Sequence, residues 1–315
     1  MRKPVLTILV AAMAATLPLS LTLSSAAAAP LSPAAKPAKP PKAPKYKEYV
    51  ALGDSWSADV VVADTDGPPD TTYAPAGCAQ SHRNYPKLLA AALKVPVFRD
   101  ATCGSAKTDD FYAPQTGLPT GETNPAQFDR LTPTTDLVTV GIGGNDAGFA
   151  GAATDCLSPL PGGAHCKEKY TAGGTDQLAK QIDESEPKLV RAIQEIHARS
   201  PKARILMVDY LAGIPQTGCY PVVPMSNSDM GYLYVTFQKL NAMVQRAAAA
   251  GGAEFVDTYT PSIGHHACSP PNYRYVEGLG IVSVNGAAVA VPAHPNSAGA
   301  ASQFRSTLAS VQAGG

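Results

Sequence analysis

Apolar residues along this chain fall into two alternating patterns. Residues 49–52, 95–98, 136–142, 203–208 and 254–257 are short runs, continuously apolar at their centres and rich in Val, Ile and Leu, as expected for strands buried on both faces. Residues 84–94, 176–200, 228–250 and 297–313 carry apolar side chains at three- and four-residue spacing, which predicts helices. Pro86 falls in a first helical turn, where proline is tolerated, and Gly251-Gly252 forms a stop. Strand and helix alternate, so the expected fold class is α/β: a parallel sheet covered by helices on both faces, in three layers. The connections 57–83, 105–135, 143–175, 210–227 and 258–293 are long and rich in Gly, Pro and polar residues. In an open sheet of this kind, ligands bind where loops leave the carboxyl ends of the strands.

The beginning of the chain follows neither pattern. Arg2 and Lys3 precede an uncharged, largely apolar stretch and then Ala26–Ala29, the layout of a secretory signal peptide over residues 1–28. Thr, Ser and Pro punctuate that stretch, which argues against a membrane anchor. Residues 29–46 are mostly Pro, Ala and Lys and bury no apolar surface, so they are expected to form a linker. Residues 47–315 remain as one domain, and 45% hydrophobic residues over 315 suffice for a large core.

Charge narrows the partners. The formal net charge is zero, but six of the 25 basic residues precede Tyr46 unopposed by any acid, so the remainder carries −6. A mildly acidic body is a poor match to nucleic acid. The six cysteines, Cys78, Cys103, Cys156, Cys166, Cys219 and Cys268, follow a leader that points to an oxidising destination, and no C-x-x-C pair occurs. Disulfides are therefore expected before metal. Sequence alone leaves fifteen pairings open; the expectation carried forward is the sequential set, Cys78–Cys103, Cys156–Cys166 and Cys219–Cys268, each closing a local loop. Adjacent His265 and His266 near Cys268 fit a loop surface better than zinc ligation.

Three predicted strands end in polar clusters: Gly53-Asp54-Ser55, Cys103-Gly104-Ser105 and Gly143-Gly144-Asn145-Asp146. A fourth cluster, Ala293-His294-Pro295-Asn296, stands just before the last helix. A serine hydroxyl becomes a nucleophile only beside a base, and Ser55 could otherwise serve merely as a helix cap. Asn145 could equally hold its own loop. In this order, the blocks resemble those of the SGNH, or GDSL-type, hydrolases over essentially all of residues 47–312.

The resemblance implies the flavodoxin-like three-layer fold of that family and a secreted esterase or lipase working without metal or organic cofactor. Ser55 would be the nucleophile and His294 the general base. The oxyanion would be met by the Ser55 N–H, the Asn145 side chain, and an N–H of the second block. There, Gly104 is followed by Ser105 where the family usually has glycine, and Ser105 is the favoured donor over Gly104. The family's usual acid, three residues before the histidine, is replaced by Val291. Either a backbone carbonyl, most simply that of Val291, orients His294, or a distant carboxylate such as Asp257 does; the carbonyl needs no change of fold. Expected partners are small-molecule or lipid esters, with no stable membrane anchor and a monomeric state. A phospholipase, an esterase of polysaccharides or plant polymers, and a non-catalytic wall-associated binding protein are the alternatives. A lipase of the G-x-S-x-G type is excluded, since that elbow is absent. Among loop aromatics, Tyr73, Phe111, Tyr112, Phe149, Tyr220 and Tyr273 are candidates for an acyl pocket, though packing is the commoner use of such residues.

Overall fold

The computed structural model describes residues 45–63, 67–160, 162–279 and 289–313. The proposed leader, and the linker up to residue 44, lie outside the described residues. Tyr46, assigned to the linker above, is buried and its hydroxyl accepts from Arg204 Nη1 at 3.0 Å, so the folded body already includes it.

Five strands form a parallel sheet: β1 (Glu48–Gly53), β3 (Val97–Asp100), β4 (Leu137–Gly141), β5 (Arg204–Val208) and β6 (Glu254–Val256), in the order β3-β1-β4-β5-β6. Register is set by pairs such as Val50 with Val138 and Val138 with Ile205. Side chains alternate between the faces with period two. Val50, Leu52, Val138, Val140, Ile205 and Met207 turn toward α5 (Gln177–Arg199) and α6 (Asn227–Gly251), meeting Leu189, Ile193, Leu240 and Val244 in one core. Tyr49, Ala51, Leu137, Leu206 and Val208 form the other core with Leu89 of α2 (Tyr85–Leu93) and Val311 of α7 (Ser297–Ala313). The three layers follow from this division.

The predicted strands and helices fall within two residues of their observed ends. The long connections hold shorter elements that apolar spacing does not announce. Besides five short 3-10 helices among the described residues, these are α1 (Ser55–Ala58), α3 (Phe149–Asp155), α4 (Cys166–Tyr170), and an antiparallel pair of β2 (Val61–Ala63) with β7 (Val289–Ala290). Among the described residues, no helix is long and apolar enough to cross a membrane.

Neighbouring strands β1 and β4 are where the strand order reverses, since the connections out of them run to opposite sides of the sheet. A crevice opens at such a switch point, outside the carboxyl ends of the strands. Gly53 and Gly141 end those two strands side by side, and a Cβ on Gly53 would come within 2.6 Å of Gly141 O. That contact requires glycine at the first position of the Gly-Asp-Ser block.

Candidate active site

Ser55 is the first residue of α1, directly beyond β1. Asp54 caps that helix, its Oδ1 accepting Trp56 N–H at 2.9 Å. Gln127 grips the glycine before it from both sides: Gly53 N–H donates to Oε1 at 2.8 Å and Nε2 donates to Gly53 O at 2.9 Å. The serine is thus held by a capped turn whose preceding peptide is pinned.

His294 approaches from the C-terminal segment, its Nε2 2.9 Å from Ser55 Oγ. Its Nδ1 lies 2.9 Å from Pro292 O. A carbonyl only accepts, so Nδ1 carries the proton and neutral Nε2 is the acceptor facing the serine. The orienting carbonyl is therefore Pro292's, and the expectation of Val291 is corrected by one residue. The backbone explains the shift. Val291 O is already taken by the His294 N–H at 3.2 Å, closing a turn through Ala293 at φ +61°, and this turn aims Pro292 O at the ring. Asp257 is exposed and turns instead to the Thr260 N–H at 2.8 Å. Burial pushes the His294 pKa below the ordinary imidazole value, with the Pro292 hydrogen bond acting in the opposite direction.

The second and third blocks are tied to each other. Asn145 Nδ2 donates to Ala106 O at 3.0 Å, and Asp146 accepts from both Thr108 N and Thr108 Oγ1, the latter at 2.6 Å. The two candidate donors of the second block differ in availability. Gly104 N–H is engaged by Cys78 O at 3.0 Å, whereas Ser105, in the left-handed region at φ +62°, lines the cavity with Asn145 and Ser55. A non-glycine residue held there is strained, and such strain gathers at functional sites.

Tyr210, which belongs to none of the four sequence blocks, joins the first block to the third. Its hydroxyl accepts Gly144 N–H at 2.8 Å and donates to Asp54 Oδ2 at 2.6 Å. Burial raises the Asp54 pKa to about 7 against the lowering effect of the Tyr210 and Trp56 hydrogen bonds. Tyr210 sits two residues beyond β5, and only that strand-end position could have drawn attention to it.

Beside Ser55 and His294 opens a cavity of about 300 Å³. Its walls include Trp56, Phe149, Ala153, Leu233, Phe237 and Met230. Phe149 is the one loop aromatic of the six candidates that lines it. Phe111 and Tyr112 pack on Phe128, Tyr73 O accepts from Arg130, and Tyr220 and Tyr273 are exposed. The structure pairs Cys78 with Cys103, Cys156 with Cys166 and Cys219 with Cys268. The last bridge ties the two loops that bring Val223, Met225 and Ala267 to the cavity. His265 stacks on Tyr275 with ring centroids 3.9 Å apart, and His266 Nδ1 lies 3.2 Å from Ser269 Oγ.

A doubly wound sheet with a serine, an imidazole and an amide converging beside an apolar cavity at its switch point is the layout of an ester-hydrolysing enzyme. The chain belongs to the GDSL-like lipase/acylhydrolase family, which it matches over residues 51–301. It is 35% identical to Lipase 2 of Streptomyces coelicolor over 295 residues, covering 90% of this chain and 89% of that relative. It is 30% identical to a lipase of Streptomyces rimosus over 226 residues, 70% of this chain and 74% of the relative. Among solved structures it resembles phospholipase A1 from Streptomyces albidoflavus NA297, with TM-score 0.63 and 25% identity, covering 84% of this chain and 99% of that one. The extracellular lipase of Streptomyces rimosus gives TM-score 0.61 and 26% identity at the same two coverages.

Proposed function

We propose that the protein is a secreted serine esterase of the lipase type, working through an acyl-Ser55 intermediate with His294 as its only side-chain base. The observation that supports this reading is the 2.9 Å approach of His294 Nε2 to Ser55 Oγ while Nδ1 is held on Pro292 O. Ser55 Oγ attacks the ester carbonyl carbon as its proton passes to Nε2. The oxyanion that forms is met by the N–H groups of Ser55 and Ser105 and by the Asn145 amide, whose second hydrogen is not engaged by Ala106 O. The carbon–oxygen bond to the alcohol then breaks, and the imidazolium returns the proton to the departing oxygen. Water, deprotonated by His294, attacks the acyl-serine and releases the acid. With no carboxylate on Nδ1, the imidazolium is steadied by the Pro292 carbonyl dipole, and its depressed pKa keeps the base neutral at neutral pH.

The cavity supports an aliphatic acyl group as the substrate's apolar half. Beyond the groups already named, its lining is apolar apart from Thr154 and Glu277, and a chain leaving water there gains about 0.8 kcal/mol per methylene. A sugar ester finds few polar partners in such a wall. Secretion is supported by the basic start, apolar run and alanine-rich end of residues 1–28, and by the likeness to an extracellular lipase.

The test is hydrolysis of p-nitrophenyl acetate, octanoate and palmitate and of phosphatidylcholine by the mature protein, beside Ser55→Ala and His294→Ala. Both variants are expected to lose at least about 1,000-fold in kcat, with octanoate or palmitate preferred to acetate by the parent. Equal rates for parent and Ser55→Ala overturn the mechanism; preference for phosphatidylcholine over the simple esters turns the reading to a phospholipase.

A further inference from the structure

Behind His294 lies an ion pair taken wholly out of water. Arg274 Nη2 is 2.6 Å from Glu277 Oε2, and both side chains are 1% exposed. Glu277 Oε1 accepts Asn296 Nδ2 at 2.7 Å, and the same amide nitrogen donates to Arg274 O at 3.0 Å. Asn296 Oδ1 in turn accepts the N–H groups of Ala298 and Gly299 at the start of α7, at 3.0 and 3.1 Å.

The backbones of the two segments are laced together across the same place. Asn296 N–H donates to Tyr275 O at 2.9 Å, Glu277 N–H to His294 O at 2.9 Å, and Ala293 N–H to Glu277 O at 3.1 Å. His294 is therefore bracketed: its own carbonyl and the amide before it bond to Glu277, while two residues later Asn296 holds the Glu277 carboxylate. Segment 293–296 has no regular element of its own and is not braced by any of the three disulfides. Three backbone hydrogen bonds and the Asn296–Glu277 side-chain bond tie it to the segment opposite, and the ion pair sits at the end of that side-chain bond.

Resting on the reading of His294 as the base, we propose that the Arg274–Glu277 pair, acting through Asn296, is the positioning device of that base. The usual acid is missing from position 291, and a single carbonyl on Nδ1 orients the ring without locating its backbone. The clamp supplies the location. Burying two charges is a poor way to gain stability, because desolvation offsets most of the attraction; the directional contact here is the hydrogen bond from Asn296 Nδ2 to Glu277 Oε1, and Arg274 supplies the charge that keeps that carboxylate in place. Arg274 and Glu277 are positioning residues: Glu277 borders the cavity, but its carboxylate is 1% exposed and turned to Asn296 and Arg274, so both act through the His294 segment.

The test compares kcat and KM on p-nitrophenyl butyrate for Arg274→Met/Glu277→Met, Arg274→Lys and His294→Asn, with folding followed by near-UV circular dichroism. The double variant removes both charges and keeps much of the bulk. The expected result is a folded double variant whose kcat falls roughly 10- to 100-fold, the scale of a base displaced by about 1 Å, with KM within about threefold of the parent and partial recovery in Arg274→Lys. A role in folding alone leaves kcat unchanged once the protein is folded, and that result overturns the proposal. Should the double variant not fold, amide hydrogen exchange of the unmodified protein decides: Glu277, Ala293 and Asn296 are expected to be protected like β1 and β4, and exchange at the rate of exposed loops overturns the clamp. Full activity in His294→Asn overturns the base assignment and the clamp with it; an inactive His294→Asn beside a fully active double variant overturns the clamp alone.

Discussion

Tyr210 Oη lies 2.6 Å from Asp54 Oδ2, joining residues 156 apart in the chain. Through the Gly144 N–H that the same oxygen accepts, the turn carrying Ser55 and the loop carrying Asn145 share one fixed point. Tyr210→Phe removes it without changing shape. The buried Asp54 carboxyl and the half-buried Gly144 N–H then lose a partner, so stability is expected to fall by about 1–3 kcal/mol in urea unfolding. Activity should fall further than stability explains: kcat/KM about 10-fold down, with kcat carrying the change, because the loop that holds the Asn145 amide in place has lost an anchor. A folded Tyr210→Phe with unaltered kcat removes Tyr210 from any role in the reaction.

The pH dependence of kcat/KM follows from His294. Only the neutral imidazole accepts the Ser55 proton, and burial disfavours the charged form, so the folded pKa lies below the ordinary 6.5. Activity is therefore expected to rise along a single acid limb with its midpoint under 6.5 and then to level off through pH 8. A midpoint above 6.5 would show that a carboxylate, rather than the Pro292 carbonyl, faces Nδ1. Kinetics between pH 4 and 9 with a soluble ester distinguish the two.

How far the chain could be read in advance depended on the range of each interaction. Strands such as 136–142 and helices such as 176–200 declare themselves through local apolar spacing, and the structure places their ends within two residues. The site blocks stood out as polar clusters following strands or preceding the last helix, and their roles were implied by the resemblance of their order to that of the GDSL-type hydrolases. What stayed hidden acts at a distance. Gln127 binds Gly53 across 74 residues, Tyr210 reaches Asp54 across 156, and neither carries a neighbouring pattern. The two- and three-residue strands of the β2–β7 pair are too short for periodicity to register, and α3 lies in a Gly- and Ala-rich stretch that reads as loop. The choice between Val291 and Pro292 turned on one backbone angle, the positive φ of Ala293, which nothing in Pro-Ala-His-Pro announces.

Asp209 gives a stability prediction of unusual sign. Buried beyond β5, it accepts Thr258 N–H at 2.6 Å and Thr258 Oγ1 at 2.8 Å, yet burial raises its pKa from 3.8 to about 7. Between those values the native state keeps a proton that the unfolded chain has released. This group's contribution is therefore fully present below about pH 4 and is lost as pH rises through about 7. Asp209→Asn cannot titrate. Relative to the parent, it should become more stable between pH 4 and pH 8, by up to a few kcal/mol at about 1.4 kcal/mol per pH unit. Parallel melting temperatures for the two proteins across that range would place the Asp209 pKa back near 4.

Ala153 of α3 tests which part of the substrate the cavity receives. It lines the cavity among larger neighbours, including Phe149 one turn earlier on the same helix and Leu157 one turn later. Because Ala153 is half-buried, a larger side chain can extend into the cavity rather than into the core. Ala153→Trp takes up roughly half of the 300 Å³ and leaves the Ser55–His294 contact as it is. An acyl chain housed there must then shorten or stay in water, and each lost methylene weakens transition-state binding by about 0.8 kcal/mol. The ratio of kcat/KM for palmitate to that for butyrate is expected to fall 10- to 100-fold, on the order of what pocket volume can discriminate. Since short and long esters share the same chemistry, the ratio isolates the pocket from any general loss of rate. An unchanged ratio would mean that the cavity holds the alcohol half of the ester, and the same variant assayed with bulky alcohol esters would then show the discrimination that the acyl series lacked.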